Sequence, residues 1–191
     1  MERAVTERAV LVPVKAFHHA KLRLVKVLPP AERAALAREL ATGVIEAAAP
    51  LPVSVVCDDH EVAAFAETLG AQVIWTPGLG LSGAVSAGVS RLAESGVDLV
   101  VVAHSDLPQP RHVREIGTAG TVTLVPDRRR DGTNVIALDP SAGFTFSYGP
   151  GSFRRHRLEA ARRGATVVVL EDDELAADID VPDDLAALLS R

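Results

Sequence analysis

The sequence predicts a single α/β domain built on a mostly parallel sheet, and three observations predict it. Short runs rich in β-branched residues recur along the chain, at Ala9–Val14, Val53–Cys57, Val73–Trp75, Val97–Ala103, Thr121–Val125 and Thr166–Leu170. Most are separated by stretches whose apolar residues fall at helical spacing, the alternation of βαβ units. The 191 residues fit one domain, with a core large enough to need no disulfide or metal as a staple.

The elements follow in order. Ala9–Val14 is a strand that ends in Pro13-Val14-Lys15. Pro30 opens a helix, where a missing N–H costs nothing, and Leu36, Leu40 and Val44 mark its apolar face. Val53–Cys57 is a second strand, ending in Asp58-Asp59. Val62, Phe65, Ala66 and Leu69 form one helix face and Gly70 stops it. After the strand Val73–Trp75 comes a glycine-rich loop, Pro77-Gly78-Leu79-Gly80-Leu81-Ser82-Gly83, which opens a helix carrying Val85, Val89 and Leu92. Val97–Ala103 is continuously apolar, the mark of a central strand buried on both faces. Asn134–Leu138 and Phe144–Phe146 read as further strands, so close together that a hairpin or antiparallel excursion is expected. A basic helix spans Gly151–Arg163, and a last helix follows Pro182. One domain, residues 1–191, is expected, with helices on both sheet faces and residues 1–8 as a flexible N-terminal extension.

Composition narrows the function. Aromatics are only 4%, so Val, Ala and Leu must fill the core. The net charge of −5 and pI near 5.7 argue against a protein that neutralises a nucleic-acid backbone. Arg128–Arg130 with Arg154, Arg155 and Arg157 suit a local patch for small phosphates instead. The single cysteine, Cys57, allows no internal disulfide and suits a reducing compartment. Met1–Arg8 is polar, with no apolar signal segment, and no apolar run reaches membrane-spanning length. A cytoplasmic protein with no membrane or nucleic-acid partner is expected.

Lys15, Asp58-Asp59, the glycine-rich loop and Asp106 then fall at strand ends or in the loops after them, which is where open α/β sheets bind ligands. Lys15, Lys21 and Arg23 supply the cations a triphosphate needs. The Gly78–Gly83 loop brings backbone N–H groups close to a ligand. Asp106, Asp178 and Asp180 are oxygen donors of the kind Mg²⁺ takes, and Asp178 and Asp180 share a face if the segment is extended. Asp131-Gly132-Thr133-Asn134 and Ser147-Tyr148-Gly149-Pro150-Gly151-Ser152 place hydroxyls and amides at a helix start, fit for an anion. Each cluster also has a purely structural reading, as a solvated loop, a tight turn or a helix cap such as Ser82. The six histidines show no zinc-ligand spacing.

Taken in order, these segments resemble the guanylyltransferases that activate 2-phospholactate or phosphoenolpyruvate for coenzyme F420 assembly. The matching segments are Val12-Pro13-Val14-Lys15, Gly80-Leu81-Ser82-Gly83-Ala84, Asp106-Leu107-Pro108, Pro126-Asp127-Arg128, Gly132-Thr133-Asn134, Phe146 to Phe153 with His156, and Asp178-Ile179-Asp180-Val181-Pro182. They cover about Val10 to Leu185. The resemblance implies a Rossmann-like, nucleotide-diphospho-sugar transferase-like fold. It implies GTP and a small phosphoacid as substrates, with pyrophosphate released and Mg²⁺ as cofactor. Carried over, Asp106, Asp178 and Asp180 hold the metal and, with Lys15, are catalytic. Thr133, Asn134, Gly149 and Ser152 hold the acid. Pro13, Lys15, Lys21, Arg23, Leu81, Ser82, Gly83 and Ala84 hold the nucleotide. A downstream F420 transferase would consume the product. Two departures stand out: Arg130-Asp131 where Gly-Thr is frequent, and Ser82-Gly83 where Asn-Ala is common. The alternatives are a molybdopterin or sugar-phosphate nucleotidyltransferase, and a non-catalytic nucleotide-binding module.

Overall fold

A computed structural model describes residues 7–189. Five helices are α1 (Pro30–Ala47), α2 (His60–Thr68), α3 (Gly80–Glu94), α4 (Ser152–Arg162) and α5 (Pro182–Leu189). The strands are β1 (Arg8–Pro13), β2 (Val53–Cys57), β3 (Gln72–Trp75), β4 (Leu99–Ala103), β5 (Thr121–Pro126), β6 (Thr133–Leu138) and β7 (Thr166–Val169). They form one sheet in the order β3-β2-β1-β4-β6-β5-β7. Only β6 runs against its neighbours, antiparallel to both β4 and β5. The other pairings are parallel.

Alternation along the strands sorts the core into two layers. Val10 and Val12 of β1 face the side covered by Ala37, Val44 and Ile45 of α1 and Val62 and Ala66 of α2. Ala9 and Leu11 face the opposite side, with Val85, Val89 and Leu92 of α3 and Phe153 and Ala160 of α4. Period-two alternation makes this division automatic. Every residue of β4 is buried, as a strand covered on both faces must be. Gly88 sets how closely α3 lies on the sheet: a Cβ there would meet Val56 and Leu11 at 2.7–2.9 Å.

Three expectations are corrected. Phe144–Phe146 forms no strand. Phe144 and Phe146 are buried and Thr145 is exposed, so the alternation is real. However, the Thr145 N–H is directed to the Glu159 carboxylate at 3.3 Å rather than to a neighbouring strand. The antiparallel excursion exists, but its hairpin joins β5 to β6 through Asp127–Gly132. Asp127 closes that loop by accepting from the Asp131 and Gly132 N–H groups, both at 2.9 Å. Finally, Glu7 and Arg8 do not belong to the expected N-terminal extension. Arg8 already belongs to β1, and the Glu7 carbonyl accepts from Asp98 and Leu99. Residues 1–6 of that expected extension lie outside the described residues.

Among the described residues, no helix is long and apolar enough to cross a membrane. The chain leaves β1 for β2 and β3 on one side, then returns to β4 on the other. That reversal opens a crevice at the carboxyl ends of β1 and β4, the position where doubly wound sheets take ligands.

Candidate active site

A cleft of about 670 Å³ occupies this position. The loop after β1 supplies Pro13 and Lys15, and two short 3₁₀ turns, Phe17–His19 and Leu22–Leu24, carry Lys21 and Arg23 over it. Gly80, Leu81 and Ala84 enter from the first turn of α3, His104 and Asp106 from the loop after β4, and Asn134 from β6. Gly149 lines it from the loop before α4, and Asp178 and Asp180 from the segment before α5. Eleven of the residues singled out by the sequence therefore meet here: Pro13, Lys15, Lys21, Arg23, Leu81, Ala84, Asp106, Asn134, Gly149, Asp178 and Asp180.

The charged groups are tightly coupled. Lys21 Nζ donates to Asp106 Oδ2 at 2.8 Å and to the Ile179 carbonyl at 2.6 Å. It does so from a left-handed backbone conformation, φ +55°, which a lysine adopts only when its surroundings hold it. Arg23 pairs with Asp180. Lys15 has no hydrogen-bond or ion-pair partner among the described residues, so its charge is free for a ligand. Burial alone would raise the Asp106 carboxyl. Lys21 and His104 outweigh it and hold the group below the usual carboxylate range. Asp178 has no such partner among the described residues. Burial, then the charges of Asp106, Asp180, Asp184 and Asp127, push it up to about 7. Ile179 between them is buried against Leu24 and Leu40. Asp178 and Asp180 thus share the cleft side as alternation demands, although the segment is not a strand.

These carboxylates fit a divalent cation by charge and by an unmet acceptor. Asp106 Oδ1 is buried without a hydrogen-bond partner, and Asp178 carries uncompensated repulsion. The site is not preassembled: among the described residues no three His, Cys, Asp or Glu side chains stand in ligating arrangement. Lys21 and Arg23 occupy two of the three carboxylates instead.

The remaining sequence-selected residues lie behind the cleft wall rather than on it. Thr133 is buried, and its Oγ1 meets His156 Nδ1 at 3.1 Å. His156 Nε2 accepts the Ser147 N–H at 2.9 Å, so the neutral ring carries its proton on Nδ1 and donates to Thr133. Burial, with Arg155 and His104 adding, lowers His156 to about 4. Ser152 is buried at the start of α4, its N–H bonded to the Gly149 carbonyl at 3.0 Å. Ser82 is neither a helix cap nor a cleft residue. Leu79 holds the cap position, and the Ser82 hydroxyl accepts the Tyr148 N–H at 2.9 Å. Gly83 also stays off the cleft, packed against Leu79.

The basic helix behaves differently from the phosphate patch its composition suggested. Arg155 turns its guanidinium onto the carbonyls of Ser147, Tyr148, Gly149 and Pro150, clamping the loop that presents Gly149. Arg130 pairs with Glu171 and lies over the Phe153 ring. Asp131 accepts the Gly151 N–H at 3.0 Å through its carboxylate and the Phe153 N–H at 3.0 Å through its carbonyl. The start of α4, read from sequence as an anion site, is thus partly satisfied from within the chain.

Sequence reasoning passed over His104. Its Nε2 is buried without a partner among the described residues, as is the Tyr148 hydroxyl, and the two rings lie 5.1 Å apart. Burial holds the imidazole below its usual range, with Asp106 opposing. A lone histidine at a strand end carries no spacing signal; only the fold reveals it.

Known proteins share this architecture. The fold is that of a provisionally named nucleotide-diphospho-sugar transferase from Desulfovibrio desulfuricans G20, with a TM-score of 0.73 at 18% identity, covering 96% of this chain and 87% of that one. It is also that of a CMP:2-keto-3-deoxy-manno-octonic acid synthetase complexed with CTP, with a TM-score of 0.62 at 14% identity over 96% and 97% of the two chains. In sequence, the chain is 38% identical to a phosphoenolpyruvate guanylyltransferase of Rubrobacter xylanophilus over 93% of this chain and 91% of that one. It is 30% identical to a 2-phospho-L-lactate guanylyltransferase of Methanothermobacter thermautotrophicus over 94% and 82%. The family model described as guanylyl transferase CofC like matches residues 8–190, and the chain belongs to that family.

Proposed function

We propose that this chain transfers GMP from GTP to a small phosphoacid, phosphoenolpyruvate in preference to 2-phospho-L-lactate, and releases pyrophosphate. The observation that carries the reading is the convergence of Lys15, Lys21 and Arg23 with Asp106, Asp178 and Asp180 in one cleft at the sheet's switch point. Binding a triphosphate beside a second anion needs that combination. The preference for phosphoenolpyruvate rests on the relative at 38% identity, against 30% for the one named for 2-phospho-L-lactate.

In the reaction, an oxygen of the acceptor phosphate attacks the α-phosphorus of GTP in line. A new P–O bond forms there as the bond to the β-phosphate oxygen breaks, and pyrophosphate leaves with the electron pair. A phosphate dianion is nucleophilic enough without a general base, so positioning and charge stabilisation carry the rate. Lys15, free of internal partners, offsets the triphosphate. Lys21 and Arg23 add charge where pyrophosphate develops. Asn134 and the Gly149 loop, held by Arg155, seat the acid. Mg²⁺, held by Asp106, Asp178 and Asp180, would supply further neutralisation of the phosphates. The diphosphate ester suits hand-over to the transferase that assembles coenzyme F420. The buried free thiol of Cys57 suits a reducing cytoplasm.

The test is pyrophosphate release with GTP and Mg²⁺, adding phosphoenolpyruvate, 2-phospholactate or 3-phosphoglycerate separately, with ATP as control. Release with GTP and phosphoenolpyruvate alone is the expected result. Silence with all three acids from folded protein would overturn the reading.

A further inference from the structure

The cleft has two ends, and the sheet order distinguishes them. Across the sheet its lining runs from Thr76 after β3, through Cys57 and Asp58 at the end of β2 and Lys15 after β1, to Asp106 after β4 and Asn134 on β6. Four strand intervals of ~4.8 Å make this span about 19 Å, room for a nucleotide and a small acid end to end. The three cations lie around β1 and β4, and the acid's residues lie beyond them on the β6 side. On the reading above, this leaves the β2–β3 end for the nucleobase.

That end is an apolar slot with one charged group. Pro13, Val56, Leu81 and Ala84 offer flat apolar surface to a planar ring. Asp58 is the one carboxylate among the lining residues at this end; Asp106, Asp178 and Asp180 all lie at the other. Its neighbour Asp59 explains by contrast why Asp58 is available. Asp59 Oδ1 accepts the Glu61 and Val62 N–H groups at 3.0 and 3.1 Å and so caps α2. The Asp58 carboxylate makes no hydrogen bond or ion pair among the described residues and is exposed to the cleft. The fold uses one aspartate of the pair and leaves the other to a ligand.

We infer that Asp58 selects guanine over adenine by accepting the N1–H and 2-amino N–H of the base. Those two donors lie side by side on guanine, and a carboxylate has two acceptor oxygens to match them. Adenine presents a lone pair at N1 and no 2-amino group, so it meets the carboxylate with repulsion. Discrimination of this kind is strong because the wrong base both lacks the bonds and strands the acceptor.

The test separates binding from turnover. Titration calorimetry with GTP and with ATP, without any acid, gives the ratio of their dissociation constants for the wild type, Asp58→Ala, Asp58→Asn and Asp59→Ala. Wild type is expected to favour GTP. Asp58→Ala should weaken GTP by about 10- to 100-fold, the range of one good bidentate base contact, while ATP binds as tightly as before or tighter. Asp58→Asn places a donor where adenine has its N1 lone pair, so its ratio should move further toward ATP. Asp59→Ala should lower the melting temperature through the lost cap and keep the wild-type ratio. An unchanged ratio in Asp58→Ala, or an equal loss of both nucleotides, overturns the inference; so does a wild type with no preference. Selective GTP binding lost in Asp58→Ala, with no pyrophosphate release from the wild type, would sustain Asp58 and sink the transferase reading alone.

Discussion

Lys21 places its ammonium 2.8 Å from the Asp106 carboxylate and 2.6 Å from the Ile179 carbonyl, tying the loop after β1 to the segment before α5. The lysine side chain is 6% exposed and the aspartate 25%, so water screens the contact only in part. Replacing Lys21 by Met strips Asp106 of its cation and leaves it beside the unpaired Asp178, while Asp180 keeps Arg23. The expected cost is about 1–3 kcal/mol of stability at neutral pH, the penalty for a stranded, partly buried acceptor. A divalent cation should replace the missing charge. Thermal melts with and without Mg²⁺ check this: the ion should raise the Lys21→Met midpoint more than that of the wild type. Equal shifts would count against Asp106 as a cation ligand.

Asp178 shows the opposite economy. It is half-buried among like charges without a partner, which destabilises the fold and suits a ligand-dependent role. Asp178→Asn removes the repulsion and keeps the shape. Denaturant unfolding at pH 8 should show the variant equal to or more stable than wild type. Pyrophosphate release should fall by about 10²–10³-fold, the scale of losing one transition-state contact. A variant both less stable and fully active would place the residue in the fold rather than the chemistry.

How much of this was legible in the sequence depended on whether a residue's role was local or topological. The alternation of β-branched runs with helical stretches predicted the sheet, because burial on both faces leaves a continuous apolar signature, as in β4. Strand ends predicted where polar residues gather, so Lys15 and Asp106 emerged together; Asn134, at the start of its strand, came from the separate Asp131–Asn134 cluster. Pairing did not emerge. Phe144–Phe146 has the alternation of a strand, but hydrogen-bond partners are set by the fold, and Glu159 takes the Thr145 N–H. Lys21 and Arg23 read as triphosphate ligands, yet a cation cannot announce which anion it meets 85 or 157 residues away. Asp131 stands in the sequence as a departure from the family pattern; in three dimensions it satisfies the Gly151 N–H that the loop would otherwise leave open.

Arg155 tests whether the loop clamp serves the acid. Its guanidinium reaches four successive carbonyls, with Nη2 at 2.8 Å from Ser147 and 3.3 Å from Tyr148 and Gly149. An ammonium lacks that planar fork. Arg155→Lys keeps the charge but loses most of the grip, and Gly149, at φ +104°, has a glycine's wide conformational freedom with less to fix it in place. Steady-state kinetics should show the KM for the acid raised about fivefold or more, with the KM for GTP unchanged. Parallel rises in both would mean that the loop supports the whole cleft.

His156 is expected to make stability sensitive to acid. It is fully buried between Thr133 Oγ1 and the Ser147 N–H. Its Nε2 must stay unprotonated to accept, because a protonated ring would point a donor at a donor. The folded value is about 4 against an ordinary 6.5, so between these values the unfolded chain binds more protons. Stability from this group is therefore complete above about pH 6.5 and is lost as pH falls toward 4, by an amount on the order of 3 kcal/mol. His156→Phe keeps the packing against Phe144, Phe146 and Tyr148 but cannot be protonated. It should be less stable than wild type at pH 7.5, where it lacks two hydrogen bonds, and its melting temperature should fall less between pH 7.5 and pH 5. Parallel curves for the two proteins would show that the acid sensitivity arises elsewhere, since deleting a group that takes up a proton on unfolding must change the slope.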